Sequence, residues 1–152
     1  MGLKVPTDAW GEDPKAAKIV KSAKEAIIGI LGMGGDVLDE HKRTLISRML
    51  WKITEANGKY TTRFQSENAI RKKGALRHDH VWIRKHMVEG ILAYPRDLDS
   101  KIALAIGCTV TKDEHDRLTE FDSVCDGWER YRRAKIAVWD LKDRKRISDS
   151  WK

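Results

Sequence analysis

The sequence lacks every segment that would direct a chain to a membrane or across one. No apolar run follows the first basic residue near the N-terminus, as a signal peptide would require. The longest apolar stretch, residues 26–35, is about half as long as a membrane-spanning helix. We therefore expect a cytoplasmic protein that has no membrane partner.

Cysteine is scarce, and the two cysteines, Cys108 and Cys125, are far apart with no CxxC motif. In a reducing compartment we expect both as free thiols. The sequence also contains no internal repeat and no low-complexity tract. The composition excludes collagen-like, mucin-like and disordered chains.

The chain contains enough apolar and charged residues for one folded domain. Its 152 residues are 41% hydrophobic and 35% charged, and six of them are Trp. This composition is typical of a globular protein with a solvated surface. We predict a single domain over residues 1–152, made of an N-terminal arm (1–12), a helical hairpin (13–58), a mixed α/β unit (59–141) and a basic tail (142–152).

The net charge of +7 is unevenly distributed along the chain. Residues 59–90 hold eight Lys or Arg against three acids, residues 126–152 hold nine against five, and residues 91–125 are net acidic. A basic excess favours a polyanionic partner. We therefore expect two basic surfaces, both outside the helical hairpin.

The first third of the chain has the periodicity of two amphipathic helices. Asp13 and Pro14 begin the first, whose apolar residues recur at intervals of three and four up to Leu31. A glycine-rich turn separates it from a second apolar stripe, which ends at Asn57 and Gly58 and consists of Leu38, His41, Leu45, Met49, Ile53 and Ala56. The pattern predicts an antiparallel helical hairpin.

The remainder mixes short strands and helices, so the predicted fold class is α+β and mostly helical. Strands are predicted at residues 59–64 and 108–110, and an edge strand at 136–141. Helices are predicted at 66–74, 82–93, 97–107 and 128–133, and after a capping box formed by Thr111 and Glu114. This capping box places His115 in the first turn of a helix, whereas the polar tail 142–152 is expected to fray.

Three residues, Asp79, His80 and His115, are the best candidates for chemistry. Asp79 and His80 are adjacent, and a strand then leads into the helix that presents His115. This order resembles the HNH, or ββα-metal, endonuclease motif. The resemblance implies that His80 is the general base and that Asp79 and His115 hold one divalent cation, Mg²⁺ or Mn²⁺. It implies no organic cofactor.

Three features depart from that motif, and one of them is the absence of the paired CxxC motifs of some of its members. The middle Asn of the family has no counterpart, and only an acid such as Asp97 or Asp99 could replace it. In addition, the helix predicted at 82–93 places His80 at a helix start rather than on a strand.

The histidines also have interpretations without catalysis. Asp79, between two histidines, could simply cap the following helix. His41 is then a half-buried packing residue, His86 faces solvent, and His115 lies in an acidic first turn that the helix dipole favours. A third alternative, favoured less, is a structural zinc site formed by Cys108 and His115 with either His78 or His80.

The basic segments predict nucleic-acid binding. Their side chains would neutralise phosphates, while Trp128 and Tyr131 either stack on unpaired bases or belong to the core. The candidate phosphate-binding residues are Arg71, Lys72, Lys73, Arg77, Arg84, Lys85, Arg130, Arg132 and Arg133. Nothing matches a known recognition helix, so these residues would supply affinity rather than sequence readout.

The helical hairpin supports an alternative of another class. Its wide apolar stripes and glycine-rich turn are typical of a module that docks on a protein partner or forms a homodimer. In that case the protein is a non-catalytic interaction or regulatory module.

Overall fold

The computed structural model describes residues 10–151, so most of the predicted N-terminal arm and Lys152 lie outside the described residues. Helices dominate this range and a five-stranded mixed sheet accompanies them, which confirms the α+β prediction. The helices are α1 (Ala16–Leu31), α2 (Asp39–Thr54), α3 (Glu67–Ile70), α4 (Arg84–Ala93), α5 (Leu98–Ile102), α6 (Lys112–Thr119) and α7 (Trp128–Arg133). The strands are β1 (Phe64–Ser66), β2 (Leu76–His80), β3 (Gly107–Thr111), β4 (Val138–Asp140) and β5 (Lys145–Arg146).

The sheet has the order β2-β3-β1-β4-β5. Strands β2 and β3 are antiparallel, with His80 opposite Gly107 and Asp79 opposite Cys108. Strand β1 runs parallel to β3 and antiparallel to β4. Helix α6 follows β3 without a gap. Two antiparallel strands followed directly by a helix therefore surround the candidate residues, and residues 81–106 form a helical insertion between the two strands.

The insertion has a simple local origin. Helix α4 ends at Ala93 because Tyr94 precedes Pro95, and a residue before proline disfavours the helical conformation. A 3₁₀ turn at Pro95–Asp97 leads into α5. The helix predicted at 97–107 is therefore shorter, and the one predicted at 82–93 begins two residues later, which leaves His80 as the last residue of β2. The expectation that His80 begins a helix was wrong.

The apolar core consists of two clusters of buried residues. One lies between α1, α2, α4 and α5, and the other lies between the sheet and α6 and α7. The Trp82 ring packs against both clusters. The hairpin therefore does not stand alone, because its apolar face is covered by the insertion.

Three predictions about the helical hairpin and strands need correction. In α2 the buried residues are Ile46, Leu50, Ile53 and Thr54, whereas Leu38 is 57% and Leu45 39% exposed and His41 is exposed as well. The buried face of α2 is therefore offset by about one residue from the predicted stripe, and it packs on α1 and α4. Strand β1 starts at Phe64 rather than Lys59, since the Thr62 hydroxyl donates to the Phe64 carbonyl at 2.7 Å and closes a local turn. Strand β4 is not an edge strand, because β5 covers it.

The tail is ordered rather than frayed over its described residues. Strand β5 pairs with β4, and a 3₁₀ helix follows at Ile147–Trp151. The Trp151 ring lies 5.5 Å from that of Trp128. No helix in the described part of the chain combines the length and apolarity that a membrane crossing would need.

A substitution at Gly127 would test how tightly the Trp82 ring is held between the two clusters. The φ of Gly127 is 64°, and a methyl group there would lie 2.6 Å from Cη2 of Trp82. We expect Gly127→Ala to lower the free energy of unfolding by about 2–4 kcal/mol, because it combines a disfavoured backbone with overpacking. Urea denaturation measures this change. Gly35→Ala, where no atom lies within 4 Å, is the matched control, and equal midpoints for the two variants would show that Trp82 is not tightly held.

Candidate functional site

Strand β2 places three candidate side chains in sequence. Because side chains alternate along a strand, His78 and His80 lie on one side and Asp79 on the other. The His78 and His80 rings are 5.8 Å and 5.1 Å from that of Trp51 in α2. Asp79 contacts α6 and α7 instead. Strand β2 thus joins the helical hairpin to the C-terminal helices at one point.

Asp79 is the centre of a buried polar network. Its Oδ2 accepts hydrogen bonds from Arg130 at 3.2 Å and from the Tyr131 hydroxyl, and its Oδ1 accepts from the second Arg130 nitrogen at 3.4 Å. Burial raises the pKa of the Asp79 carboxyl, and the Arg130 charge opposes that shift. Asp79 does not cap a helix. That acceptor role belongs to Asp126, whose Oδ1 binds the backbone N–H of Ile83 at 2.7 Å.

Arg130 also donates hydrogen bonds to groups other than the Asp79 carboxylate. It donates to the carbonyls of His80 and Val81, both at 3.1 Å, and to Asp122 at 2.9 Å. These contacts fix the end of β2 against α7. Arg130 is only 3% exposed, so its predicted role as a phosphate contact on an open surface was wrong.

The ring nitrogens of His80 are shielded from solvent. Neither ring nitrogen makes a hydrogen bond within the described residues. Burial, together with the charges of His78, Arg84 and Arg130, lowers the pKa of His80 to about 3. The imidazole is therefore neutral at physiological pH and free to accept a proton or a hydrogen bond.

His78 has a structural role. One ring nitrogen lies 2.9 Å from the Thr54 hydroxyl and the other 3.1 Å from the Lys59 carbonyl, so both are satisfied. Burial lowers the pKa of His78 as well. Gly107 permits this packing, since a Cβ there would lie 2.6 Å from the His78 ring and 2.5 Å from the Thr54 carbonyl.

His115 is held at the start of α6 by the predicted capping box, which the structure confirms. Glu114 also accepts hydrogen bonds from Ser66 at 2.5 Å and Asn68 at 2.9 Å, which ties the helix start to β1 and α3. As a result His115 Nε2 lies 3.9 Å from Asp79 Oδ1. Sequence order alone had only suggested that these two groups converge.

A cleft of about 1150 Å³ runs past these side chains, between α2 and α4 on one wall and β2, α6 and α7 on the other. Asp79, His80 and His115 all line it. The basic residues that line it are Arg43, Arg48, Lys52, Arg84, Lys85 and Arg130. Four acidic residues, Glu55, Asp79, Glu89 and Asp122, line it as well, so the lining has a modest excess of positive charge.

The predicted basic residues divide into two groups. Arg84, Lys85 and Arg130 line the cleft. The others, Arg71, Lys72, Lys73, Arg77, Arg132 and Arg133, are exposed and do not line it. The last two pair with Glu129 on the same helix, at 2.5 Å and 3.0 Å. Trp128 and Tyr131 belong to the sheet-side core cluster, which is their non-stacking interpretation.

Two residues of α2 were missed by the sequence prediction. Arg48 and Trp51 line the cleft and share a helix face at i and i+3 spacing. The i and i+3 spacing of a basic and an aromatic residue could have indicated that both lie on one face of α2. This face was not recognised, because the predicted apolar stripe of α2 lies about one residue away.

The structure supports the predicted metal ligands in one respect and not in another. Asp79 Oδ1 and His115 Nε2 are separated by 3.9 Å, which suits two ligands of one cation, and Mg²⁺ needs only one or two protein ligands beside water and phosphate. Within residues 10–151, however, no three His, Cys, Asp or Glu side chains are grouped to hold a metal ion. Asp99 pairs with Lys24, and neither Asp97 nor Asp99 lines the cleft.

The zinc alternative is poorly supported by Cys108. Its thiol is fully buried in the sheet-side cluster, and burial raises its pKa well above the usual range. A zinc ligand must be a thiolate, so a protonated, enclosed thiol is unsuited to that role.

Comparison of the chain with protein-family models, curated proteins and solved structures found no significant match. What the cleft does must therefore be inferred from its own side chains.

The Asp79–Arg130 pair leads to the first prediction about the site. Arg130→Met leaves a buried carboxylate without its guanidinium, and we expect it to cost about 3–5 kcal/mol of unfolding free energy. Arg132→Met, on the same helix but exposed, should cost less than about 1 kcal/mol. Denaturation of both variants measures the difference, and similar losses would contradict the central role of the pair.

His80 leads to a prediction about pH. Its pKa is about 3 in the folded chain and about 6.5 in an unfolded one, so the unfolded state binds more protons between these values. The contribution of the neutral His80 side chain to the free energy of unfolding is therefore full above pH 6.5, and it is lost as the pH falls toward 3. Relative to His80→Leu, the wild type should lose about 2 kcal/mol between pH 6.5 and 5. Denaturation midpoints across this range test it, with the exposed-site variant His41→Gln as control, and a pH-independent difference would refute it.

Proposed function

We propose that the protein binds nucleic acid in the cleft and cleaves its phosphodiester bonds with the help of a divalent cation. The observations that carry the proposal are that Asp79, His80 and His115 line one cleft together with several basic residues, and that Asp79 Oδ1 lies 3.9 Å from His115 Nε2. This arrangement agrees with the resemblance to the HNH endonucleases. Arginine-lined clefts favour phosphate groups, which supports nucleic acid as the substrate.

Asp79 and His115 are the residues that would hold the cation, Mg²⁺ or Mn²⁺. When bound, it would stabilise negative charge on the phosphate and on the leaving oxygen. Arg130 opposes the effect of burial on the pKa of Asp79 and holds the carboxylate in place together with the Tyr131 hydroxyl. The capping box keeps His115 in position.

His80 would act as the general base. A neutral imidazole accepts a proton from water as the water oxygen bonds to phosphorus and the bond to the leaving oxygen breaks. The ring nitrogens are shielded in the described state, so the cleft must open between α2 and β2 for water to reach them. Burial is the main cause of the low pKa of His80, so this opening would raise that pKa, and a bound phosphate would also counter the charges of Arg84 and Arg130.

Cleavage of plasmid DNA and single-stranded substrates tests the proposal. In Mg²⁺ or Mn²⁺ we expect cleavage by the wild type, a loss of at least about a hundredfold in His80→Ala and His115→Ala, and none in EDTA. His41→Ala, at an exposed position of α2, is the control and should cleave normally. Circular dichroism checks that the variants are folded. Absence of wild-type cleavage, or equal rates in all variants, would rule out the nuclease.

A further inference from the structure

Two arginines of the cleft, Arg48 and Arg84, have no carboxylate partner among residues 10–151. The other arginines that line the cleft are paired: Arg43 with Glu89 at 2.6 Å, and Arg130 with Asp79 and Asp122. Arg48 lies three residues before Trp51 on α2, so the two side chains share a helix face. The Arg84 guanidinium lies over the Trp51 ring, 4.6 Å from its centroid. One guanidinium thus lies on the indole and a second extends from the same face of α2, while the nearby Glu55 carboxylate accepts from the indole N–H at 2.7 Å and pairs with neither arginine.

The two guanidinium charges lie close enough to repel each other. Arg84 is half-buried, and both burial and the neighbouring Arg48 charge lower the pKa of its guanidinium. An anion between the two groups would offset the repulsion and the lost hydration. Stacking on Trp51 also restricts the Arg84 side chain, which reduces the entropy lost when a ligand binds.

The start of α4 lies against the same cleft, since Ile83, Arg84 and Lys85 all line it. The Asp126 carboxylate already accepts a hydrogen bond from the Ile83 N–H at 2.7 Å, so the side chains rather than this helix end would contact an anion. His80, whose ring nitrogens make no hydrogen bond among residues 10–151, lines the same cleft.

We propose that Arg48 and Arg84 form a subsite for one phosphate of a nucleic-acid backbone, next to the phosphate that Asp79, His80 and His115 act on. The inference deepens the proposed function, because the ligand is a second phosphate of the same substrate. The guanidinium fork matches two phosphate oxygens, so the pair grips the backbone without reading bases.

Inorganic phosphate is the first probe. In ¹⁵N spectra of the full chain in EDTA, phosphate should shift the Nε–H signals of Arg48 and Arg84 along one saturable curve. Chloride at matched ionic strength should not shift them, and the exposed Arg96, which does not line the cleft, should not respond. Equal and unsaturable shifts at all three arginines would overturn the subsite.

Binding of a short labelled DNA, followed by fluorescence anisotropy in EDTA, is the second probe. We expect Arg48→Gln and Arg84→Gln to raise the Kd several-fold to about tenfold at low salt, with Arg84→Lys intermediate. The double variant should lower the salt slope by about one, as loss of one phosphate contact requires. Arg96→Gln is the control. DNA affinities equal to that control would overturn the inference, even if inorganic phosphate binds.

The metal-free conditions separate this inference from the nuclease proposal. Arginine-dependent binding without cleavage in Mg²⁺ or Mn²⁺ supports the subsite and rejects the nuclease. If Arg48→Gln and Arg84→Gln both still cleave DNA and bind it with unchanged affinity, the nuclease proposal is supported and the subsite is rejected.

Discussion

One buried ion pair, between Asp79 and Arg130, holds the candidate site together. Two charges removed from water are tolerated only when each is satisfied by the other and by further hydrogen bonds. Here the carboxylate has Tyr131 as a second donor, and the guanidinium has the carbonyls of His80 and Val81 as further acceptors. The pair therefore sets the position of the last residue of β2, and with it the place of His80 in the cleft.

The cleft lies where the two apolar clusters meet. One wall belongs to α2 of the hairpin and to α4, which packs on it, and the other belongs to the sheet and its helices. Trp82 contacts both clusters, and Gly127 allows its ring to approach. A ligand that bridges the walls would bind to both halves of the structure at once.

Local patterns in the sequence predicted the fold more successfully than they predicted the site. The capping box at Thr111 and Glu114 and the glycine-rich turn of the hairpin depend on neighbours within a few residues, and both were predicted correctly. The buried face of α2 was missed, because its partners in α4 lie far along the chain. Asp79, His80 and His115 were identified as candidates from their residue types and order in the sequence. Arg48 and Trp51 became candidates only once α2 was placed beside β2. The burial that neutralises His80 is likewise a tertiary effect.

The long sequence separations in the site bear on how the protein is made. Strand β2 cannot pair with β3 until residues 81–106 have been synthesised, and Asp79 cannot meet Arg130, 51 residues later, until most of the chain has left the ribosome. Contacts between distant residues form slowly because loop closure precedes any gain from them. The α1–α2 hairpin can assemble early, whereas the cleft residues come together only at the end. A chain that ends before α7 therefore lacks Arg130 and Tyr131, and with them the contacts that hold the end of β2 in the cleft.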